Sequence, residues 1–255
     1  MLKRNSLTVS QRAVLYRYVL PPLFLFFSTL AYSQQYDFPV RPGSEQWKSF
    51  ASSEEMYAAC QIPDGMLHAM STSDLAKTCL DYPMISTLYA YNDLQKGFQN
   101  LTVKFNGFQE LLKRPDAGIV ILEIYRKMMP GAIQPSWNTV QKGKFALSFD
   151  FVEVLLAQRQ IQSTLTPVKK KDLVDQCIKK YTEKKNNIEF FGTYGTSTSA
   201  WVAARTIKEK NPVRLNNQGR MSEKELAEYA FVEQGLVVDP DVVEGIMREA
   251  KTYAK

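Results

Sequence analysis

An apolar pattern between Tyr91 and Leu112 constrains the fold more than any other feature of this 255-residue sequence. Large apolar side chains recur there at alternating steps of three and four residues, at Tyr91, Leu94, Phe98, Leu101, Phe105, Phe108 and Leu112. Such steps place all of these side chains on one face of an α-helix. Asn106 and Gly107 tolerate the left-handed conformation that ends a helix, so the segment is predicted to be one helix or two consecutive helices.

The aromatic side chains on this face favour the core of a helical bundle, because they are bulky for the narrow seam of a two-stranded coiled coil. The alternative is an exposed face that binds a partner protein or a second copy of the chain. Tyr91, Phe98 and Phe105 are therefore the candidates for an interaction face.

Two matched segments precede this pattern, SSEEMYAACQIP at 52–63 and STSDLAKTCLDYP at 71–83. Each begins with a serine three residues before a carboxylate, which is the spacing of a helix capping box, and each ends with a proline that stops a helix. Cys60 and Cys79 occupy equivalent positions on the apolar stripes of the two predicted helices.

Two interpretations of Cys60 and Cys79 stay open at this stage. As small apolar side chains they fill the core of the bundle. Alternatively they form a disulfide, which an exported chain would keep in an oxidising compartment. Three cysteines cannot all pair within one chain, so Cys177 would then remain a free thiol.

Further helix signals continue to the end of the chain. Apolar periodicity predicts helices beginning near Ala117 and spanning 144–161, and caps or prolines predict helix starts at Thr166–Pro167, at Ser222 with Glu225, and at Asp239–Pro240. The stretch 186–220 differs because it is rich in Gly, Ser, Thr and Asn. A small β-hairpin near 188–207 is predicted there from its β-forming ends, with a loop followed by a helix from Ser199 as the alternative.

The fold prediction is mainly all-α, a multi-helix bundle or a short irregular helical stack. The predicted organisation is a signal peptide at 1–33, an extended leader at 34–50, a main helical domain at 51–185, a connection or hairpin at 186–220, and a helical pair at 221–255 packed on the main domain.

The first 33 residues have the pattern of a signal peptide. Four basic residues precede or flank the apolar run from Tyr18 to Tyr32, which is shorter than the roughly 20 residues of a membrane-spanning helix. Ala31 and Ser33 precede the expected cut before Gln34. The sequence therefore predicts export to the periplasm or the medium, with no stable membrane span after cleavage. The alternative is that the segment stays uncleaved as an N-terminal anchor.

Removal of this segment changes what the charge implies. The whole chain carries +6, whereas residues 34–255 hold 28 basic and 26 acidic residues. The basic stretch 169–185 is interleaved with carboxylates and is typical of a solvated helix face. We therefore expect no nucleic-acid partner.

The inventory of reactive groups assigns no catalytic, cofactor-binding or metal-binding residue. The chain has one histidine, His68, and its cysteines lack the spacing of metal ligands. The predicted export and the small number of reactive side chains favour an envelope or extracellular protein that binds another protein or a peptide. The alternatives are a carboxylate-dependent hydrolase and a small-ligand carrier, for which Tyr89, Tyr194 and Trp201 are the exposed-aromatic candidates.

Overall fold

The computed structural model describes residues 34–208, 221–235 and 239–255. Within these ranges the chain is helical and contains no strand, so the predicted mainly all-α fold is confirmed. In chain order the α-helices are α1 (Glu45–Ser49), α2 (Ser53–Ala59), α3 (Asp64–Ala69), α4 (Thr72–Leu80), α5 (Leu94–Lys104), α6 (Asn106–Leu111), α7 (Ala117–Lys127), α8 (Thr139–Leu156), α9 (Arg159–Ser163), α10 (Pro167–Lys185), α11 (Ile188–Ile207), α12 (Glu223–Gln234) and α13 (Pro240–Tyr253). Two 3₁₀ helices span Ile85–Ala90 and Pro130–Ala132.

Helix α11 lies at the centre of the bundle. It packs against α8, α10, α12 and α13, and every residue from 195 to 206 is buried. Its small side chains, among them Gly195, Ser199 and Ala200, leave room for the neighbouring helices to approach closely. The core therefore forms around a helix that combines small and hydroxyl-bearing side chains with apolar ones such as Trp201 and Val202.

The predicted hairpin at 188–207 is wrong, because this segment is helix α11. A segment surrounded by other helices must satisfy its backbone polar groups internally, and a helix does so without a partner strand. The hydroxyls that suggested a turn bond back along the helix instead: Thr196 donates to the Gly192 carbonyl at 2.7 Å and Thr206 to that of Val202 at 2.8 Å. Tertiary packing thus overrides the local β preference.

A sharp kink interrupts α11 near its start. Gly192 has φ 63° and ψ 178°, a backbone conformation that is essentially restricted to glycine. The kink turns the first residues of α11 away from the axis of the long buried part that follows. The buried part of α11 begins just after the kink, and its residue Gly195 lies close to Asp150 of α8.

The apolar pattern at 91–112 forms two helices, α5 and α6, with the break at Phe105. Asn106 stabilises this break, since its side-chain Nδ2 donates to the Ile62 carbonyl at 2.7 Å and its Oδ1 accepts from the Ile62 backbone N–H at 3.0 Å. Gln61 adds a bond to the Lys104 carbonyl at 2.9 Å. The break between the helices is therefore held by the loop that follows α2.

Most predicted caps are present. Ser52 and Ser71 accept from the N–H groups of the third residues that follow them, Thr166 caps α10, and Ser222 with Glu225 forms a complete capping box. The predicted leader at 34–50 includes the short helix α1. The predicted signal peptide at 1–33 lies outside the described residues, as does the end of the predicted connection at 209–220.

None of the helices in the described ranges combines the length and the apolar character that crossing a bilayer requires.

Candidate functional site

A buried ionic cluster joins α8, α10 and α11, and we define it by Asp150, Glu153 and Lys184. The side chains of Glu153 and Lys184 are both 0% exposed, and Lys184 Nζ lies 2.6 Å from Glu153 Oε2. Lys184 also donates to the Gly195 carbonyl at 2.8 Å and to Thr198 Oγ1 at 3.3 Å. Its ammonium group is thus bonded in three directions, as a buried cation requires.

Glu153 is bonded just as fully. Its Oε1 accepts from the Tyr125 hydroxyl at 2.6 Å and from Ser199 Oγ at 2.6 Å, while Thr198 Oγ1 donates to Oε2. Burial of Tyr125 and the neighbouring carboxylate raise the pKa of its phenol, so this hydroxyl remains a donor. The carboxylate is therefore enclosed by α7, α10 and α11 and is shielded from water.

Asp150 is the third member of the ionic cluster and lies one helical turn before Glu153. Its Oδ1 lies 4.0 Å from Lys184 Nζ and 3.2 Å from Thr198 Oγ1, whose single proton is donated to Glu153, and its Oδ2 accepts from the Tyr89 hydroxyl at 2.9 Å. Burial raises the pKa of Asp150 to about 6, although the positive charge of Lys184 opposes this shift. Asp150 is thus a carboxyl group that titrates close to neutral pH.

The two carboxylates point inward side by side, which is the arrangement that a carboxylate-dependent hydrolase requires. The surroundings of Glu153 argue against that chemistry, however, because four donors occupy its oxygens and none of them is a water-exposed group. The described part of the chain also contains no group of three or more His, Cys, Asp or Glu side chains placed to hold a metal. The geometry thus favours a structural role for the ionic cluster.

A second feature is an open groove on the surface between α4 and α7, which we call the α4/α7 groove. Its volume is about 520 Å³. Its floor is formed by the half-buried apolar side chains of Ile119, Val120, Ile124 and Met128. Its rim is formed by the polar and charged side chains of Ser73, Lys77, Glu123 and Lys127. The groove exists because α7 is apolar on more of its circumference than α4 and α8 cover.

The rim of the α4/α7 groove carries two exposed lysines and one carboxylate. The Glu123 carboxylate is bonded to Arg126 Nη1 at 2.5 Å, and the same guanidinium also pairs with Asp172. Lys127 is exposed and forms no ion pair with any residue in the described ranges. Lys77 is also exposed and lies 3.5 Å from Asp74. An apolar segment with acidic flanks would complement this surface.

A third feature is a small cavity beside the kink of α11, between α10 and α13. Its volume is about 120 Å³, and a Lys185–Glu244 ion pair at 2.7 Å closes one side. Tyr181 donates to the same Glu244 carboxylate at 2.9 Å. The cavity is well below the ~300–1,000 Å³ of sites for drug-sized ligands.

The structure separates the residues that the sequence proposed for an interaction face. Phe98 and Phe105 are 3% and 0% exposed, whereas Tyr91 is half-buried. Phe105 instead stacks on Tyr82 at a centroid distance of 4.0 Å inside the core. These side chains therefore do not form a shared exposed face, because α4, α6 and the 3₁₀ helix at 85–90 cover them.

The three exposed-aromatic candidates differ in position. Tyr194 is 40% exposed, and Tyr89 is half-buried beside it with a ring-centroid distance of 5.9 Å. Trp201 is fully buried, which corrects the expectation that it is exposed: its indole Nε1 donates to the Val232 carbonyl at 3.0 Å and holds α12 against α11.

All three cysteines lie in the described residues and are free, buried thiols. Cys60 and Cys79 are thus not joined as the disulfide interpretation proposes, and each is packed in the core with 0% exposure. Burial raises the pKa of the Cys79 and Cys177 thiols well above the ordinary value, so neither thiol is activated as a nucleophile.

Sequence reasoning missed the ionic cluster. Lys184 belongs to the basic stretch that was interpreted as a solvated face. Sequence alone does not distinguish the two buried lysines of this stretch, Lys180 and Lys184, from the exposed ones around them. The available signal was in α8, where Asp150 and Glu153 interrupt the apolar run FDFVEVLL. Carboxylates on an otherwise apolar helix indicate buried partners elsewhere in the chain.

Comparison of this chain with family models, with curated proteins and with solved structures finds no match.

Proposed function

We propose that this chain is an exported helical interaction protein that binds an apolar, acidic-flanked segment of a partner protein in the α4/α7 groove. The observation that supports this function is the uncovered apolar floor of the groove, formed by Ile119, Val120, Ile124 and Met128. Apolar surface of this kind, rimmed by polar side chains, is typical of a binding site for a protein segment.

The shape and charge of the α4/α7 groove support the choice of partner. Its volume of about 520 Å³ accommodates several side chains of an amphipathic helix or an extended peptide. The exposed ammonium groups of Lys77 and Lys127 favour a segment that carries carboxylates beside its apolar residues. The partner acts in the periplasm or outside the cell, as the signal-peptide pattern of residues 1–33 indicates.

The other two functions receive less support from the geometry. A hydrolase would need an accessible carboxylate pair, whereas the ionic cluster is enclosed by the side chains that bond it. A small-ligand carrier would use a cavity of about 300 Å³ or more, whereas the cavity beside Lys185 measures about 120 Å³.

Binding is tested with synthetic helical peptides that share one apolar face and differ only in their flanks, glutamate in one set and lysine in the other. We expect the glutamate-flanked set to bind more tightly, and Ile124→Asp to weaken both sets by about 10-fold or more, since a buried unpaired carboxylate costs over about 1.4 kcal/mol. Val140→Asp is the control, because Val140 is 66% exposed and lies outside the groove.

Charge reversal makes the peptide experiment specific to the groove. Lys127→Glu is expected to invert the preference towards the lysine-flanked set, while Lys113→Glu, an exposed lysine on another surface, leaves the preference unchanged. Equal binding of both peptide sets to all variants would contradict the proposal.

Export is tested separately by fractionating the cells that produce the full chain and sequencing the N-terminus of the exported product. We expect recovery from the periplasm or the medium with Gln34 as the first residue. Recovery of the intact chain in the cytoplasm would contradict the proposed location without bearing on the groove.

A further inference from the structure

The α4/α7 groove has two chemically different ends, because the two helices that form it begin at the same end. Thr72, the first residue of α4, donates from Oγ1 to the carboxylate of Asp116 at 2.7 Å, and Asp116 immediately precedes α7. Residues that follow this contact in both helices line the groove. Both helices therefore run from one end of the groove, the Asp116 end, towards the other, the Lys127 end.

Charged side chains are separated along the groove. A carboxylate, that of Asp116, lies at the start of α7, whereas exposed lysines lie in the last turns of the two helices, Lys77 in α4 and Lys127 in α7. Glu123 lies one turn before Lys127 and is bonded to Arg126. Carboxylates of a bound segment are therefore favoured at the Lys127 end and disfavoured at the Asp116 end.

The apolar floor of the groove contains a regular ridge. Val120, Ile124 and Met128 recur every four residues along α7, and all three are half-buried. A ridge with this spacing packs into the furrows between the side chains of a second helix. At a rise of 1.5 Å per residue the ridge is about 12 Å long, so a partner helix of about three turns covers it.

The backbone of α7 offers few hydrogen bonds to a bound segment. Between its end turns, a helix bonds its N–H and C=O groups internally. An extended segment would place unpaired backbone groups against the apolar floor, at a cost in free energy. A helical segment bonds its own backbone and avoids this cost.

On the basis of the groove-binding function proposed above, we propose that the partner segment is an amphipathic α-helix of about three turns that runs antiparallel to α7, with its acidic first turn at the Lys127 end. Two effects favour this direction. Carboxylates in the first turn stabilise the partner helix itself and lie close to Lys77 and Lys127. The positive N-terminal end of the partner helix also lies beside the negative C-terminal end of α7.

Two stapled helical peptides test the direction. They share one apolar face and have acetylated and amidated ends, and they carry glutamates in the first turn in one peptide and in the last turn in the other. Circular dichroism confirms that their helix contents are equal. We expect the first-turn peptide to bind about 3- to 10-fold more tightly at low ionic strength, and the preference to shrink as salt is added.

Variants locate this preference in the groove. Lys127→Glu is expected to remove the preference for the first-turn peptide, whereas Lys113→Glu, an exposed lysine on another surface, retains it. Equal affinities of the two peptides for the unchanged protein would overturn the proposed direction. Failure of both peptides to bind would instead overturn the groove-binding function, and the proposed helix with it.

Photo-crosslinking measures the direction without relying on affinity. A crosslinker in the first turn of the peptide should attach near Lys127 and Met128, and one in the last turn near Ser73 and Ile119, as mapped by mass spectrometry. The opposite pattern would overturn the direction and leave binding in the groove intact.

A third peptide tests the helical state of the partner. It has the sequence of the first-turn peptide with a central proline and no staple, and we expect it to bind at least about 10-fold more weakly, because proline breaks the helix. Undiminished binding of this peptide would overturn the helical form of the partner.

Discussion

Glu153 has every oxygen occupied by a donor from another helix, and this makes it the most constrained side chain in the protein. Lys184, Tyr125, Thr198 and Ser199 all bond to it, and none of them is exposed. A charge taken out of water is tolerated only when such partners replace its hydration. The stability of the α8, α10 and α11 assembly should therefore be sensitive to the loss of any partner.

Neighbouring lysines provide a direct comparison of a buried and an exposed ion pair. We expect Lys184→Met to reduce the free energy of unfolding by about 3–5 kcal/mol, because it leaves Glu153 buried and charged without a cation. Lys185→Met removes an ion pair whose side chains are 51% and 44% exposed, and should cost less than about 1 kcal/mol. Urea denaturation measures both values.

A double variant separates the charge from the packing. If Lys184→Met is harmful because Glu153 loses its cation, then adding Glu153→Gln should recover part of the lost stability. If the free-energy losses of the two single variants simply add in the double variant, the two side chains act independently.

Asp150 should make stability depend on pH. Its pKa is raised from 3.8 to about 6 in the folded protein, so the folded state holds its proton more tightly than the unfolded state. The resulting contribution is fully present below about pH 3.8 and is lost as pH rises through about 6. We expect Asp150→Asn to remove this component of the pH dependence, measured by denaturation between pH 4 and pH 7 as about two orders of magnitude in the folding equilibrium.

The unchanged protein, measured over the same pH range, is the reference for the pH experiment. An identical slope in Asp150→Asn would show that Asp150 titrates in the folded protein as it does in the unfolded chain.

At the scale of the elements, sequence signals located helix ends better than they located α11. Ser222 with Glu225, Thr166 and Asp239 mark helix starts through local hydrogen bonds, which act within one turn and are legible in sequence. The helical state of 188–207 instead depends on α8, α10, α12 and α13 packing around it. No local pattern encodes that enclosure, and the hydroxyl-rich segment therefore suggested a turn.

Close packing of α5 against the 3₁₀ helix at 85–90 depends on Gly97. A Cβ atom at this position would lie 2.1 Å from the Leu88 carbonyl oxygen, which belongs to the backbone and cannot rotate away. We expect Gly97→Ala to lower the free energy of unfolding by about 1–3 kcal/mol or more.

Gly143 in α8 is the matched control for this substitution. It is exposed and has no atom within 4 Å of the added Cβ, so Gly143→Ala should raise stability by about 0.5–1 kcal/mol through helix propensity alone. Thermal or urea unfolding of the two variants measures both effects. A neutral Gly97→Ala would mean that α5 and residues 85–90 can separate at little cost.

For the molecule as a whole, sequence predicted the fold class but not the sites. A helix needs only one buried face to give its sequence a recognisable apolar period. The helices, and with them the all-α fold class, can therefore be predicted from sequence. The ionic cluster and the α4/α7 groove each combine residues from helices far apart in the chain. Asp150 and Lys184 are 34 positions apart, and the packing of both α8 and α10 against α11 brings them together.

The buried thiols report on the integrity of this packing. Cys60, Cys79 and Cys177 are all 0% exposed, so an alkylating reagent should label none of them in the folded protein. In denaturant without reductant we expect all three to be labelled, as counted by intact mass. One labelled thiol in denaturant would instead indicate a disulfide between the other two.

The pairing of Lys184 with Glu153 also has an evolutionary consequence. Loss of either charge alone leaves the other buried without a partner of opposite charge. Selection should therefore remove single substitutions at these two positions and accept substitutions of both. In chains that share this fold, an apolar residue at the position of Lys184 is expected to accompany an uncharged residue at that of Glu153. Such coupled change would identify distant relatives after the rest of the sequence has diverged.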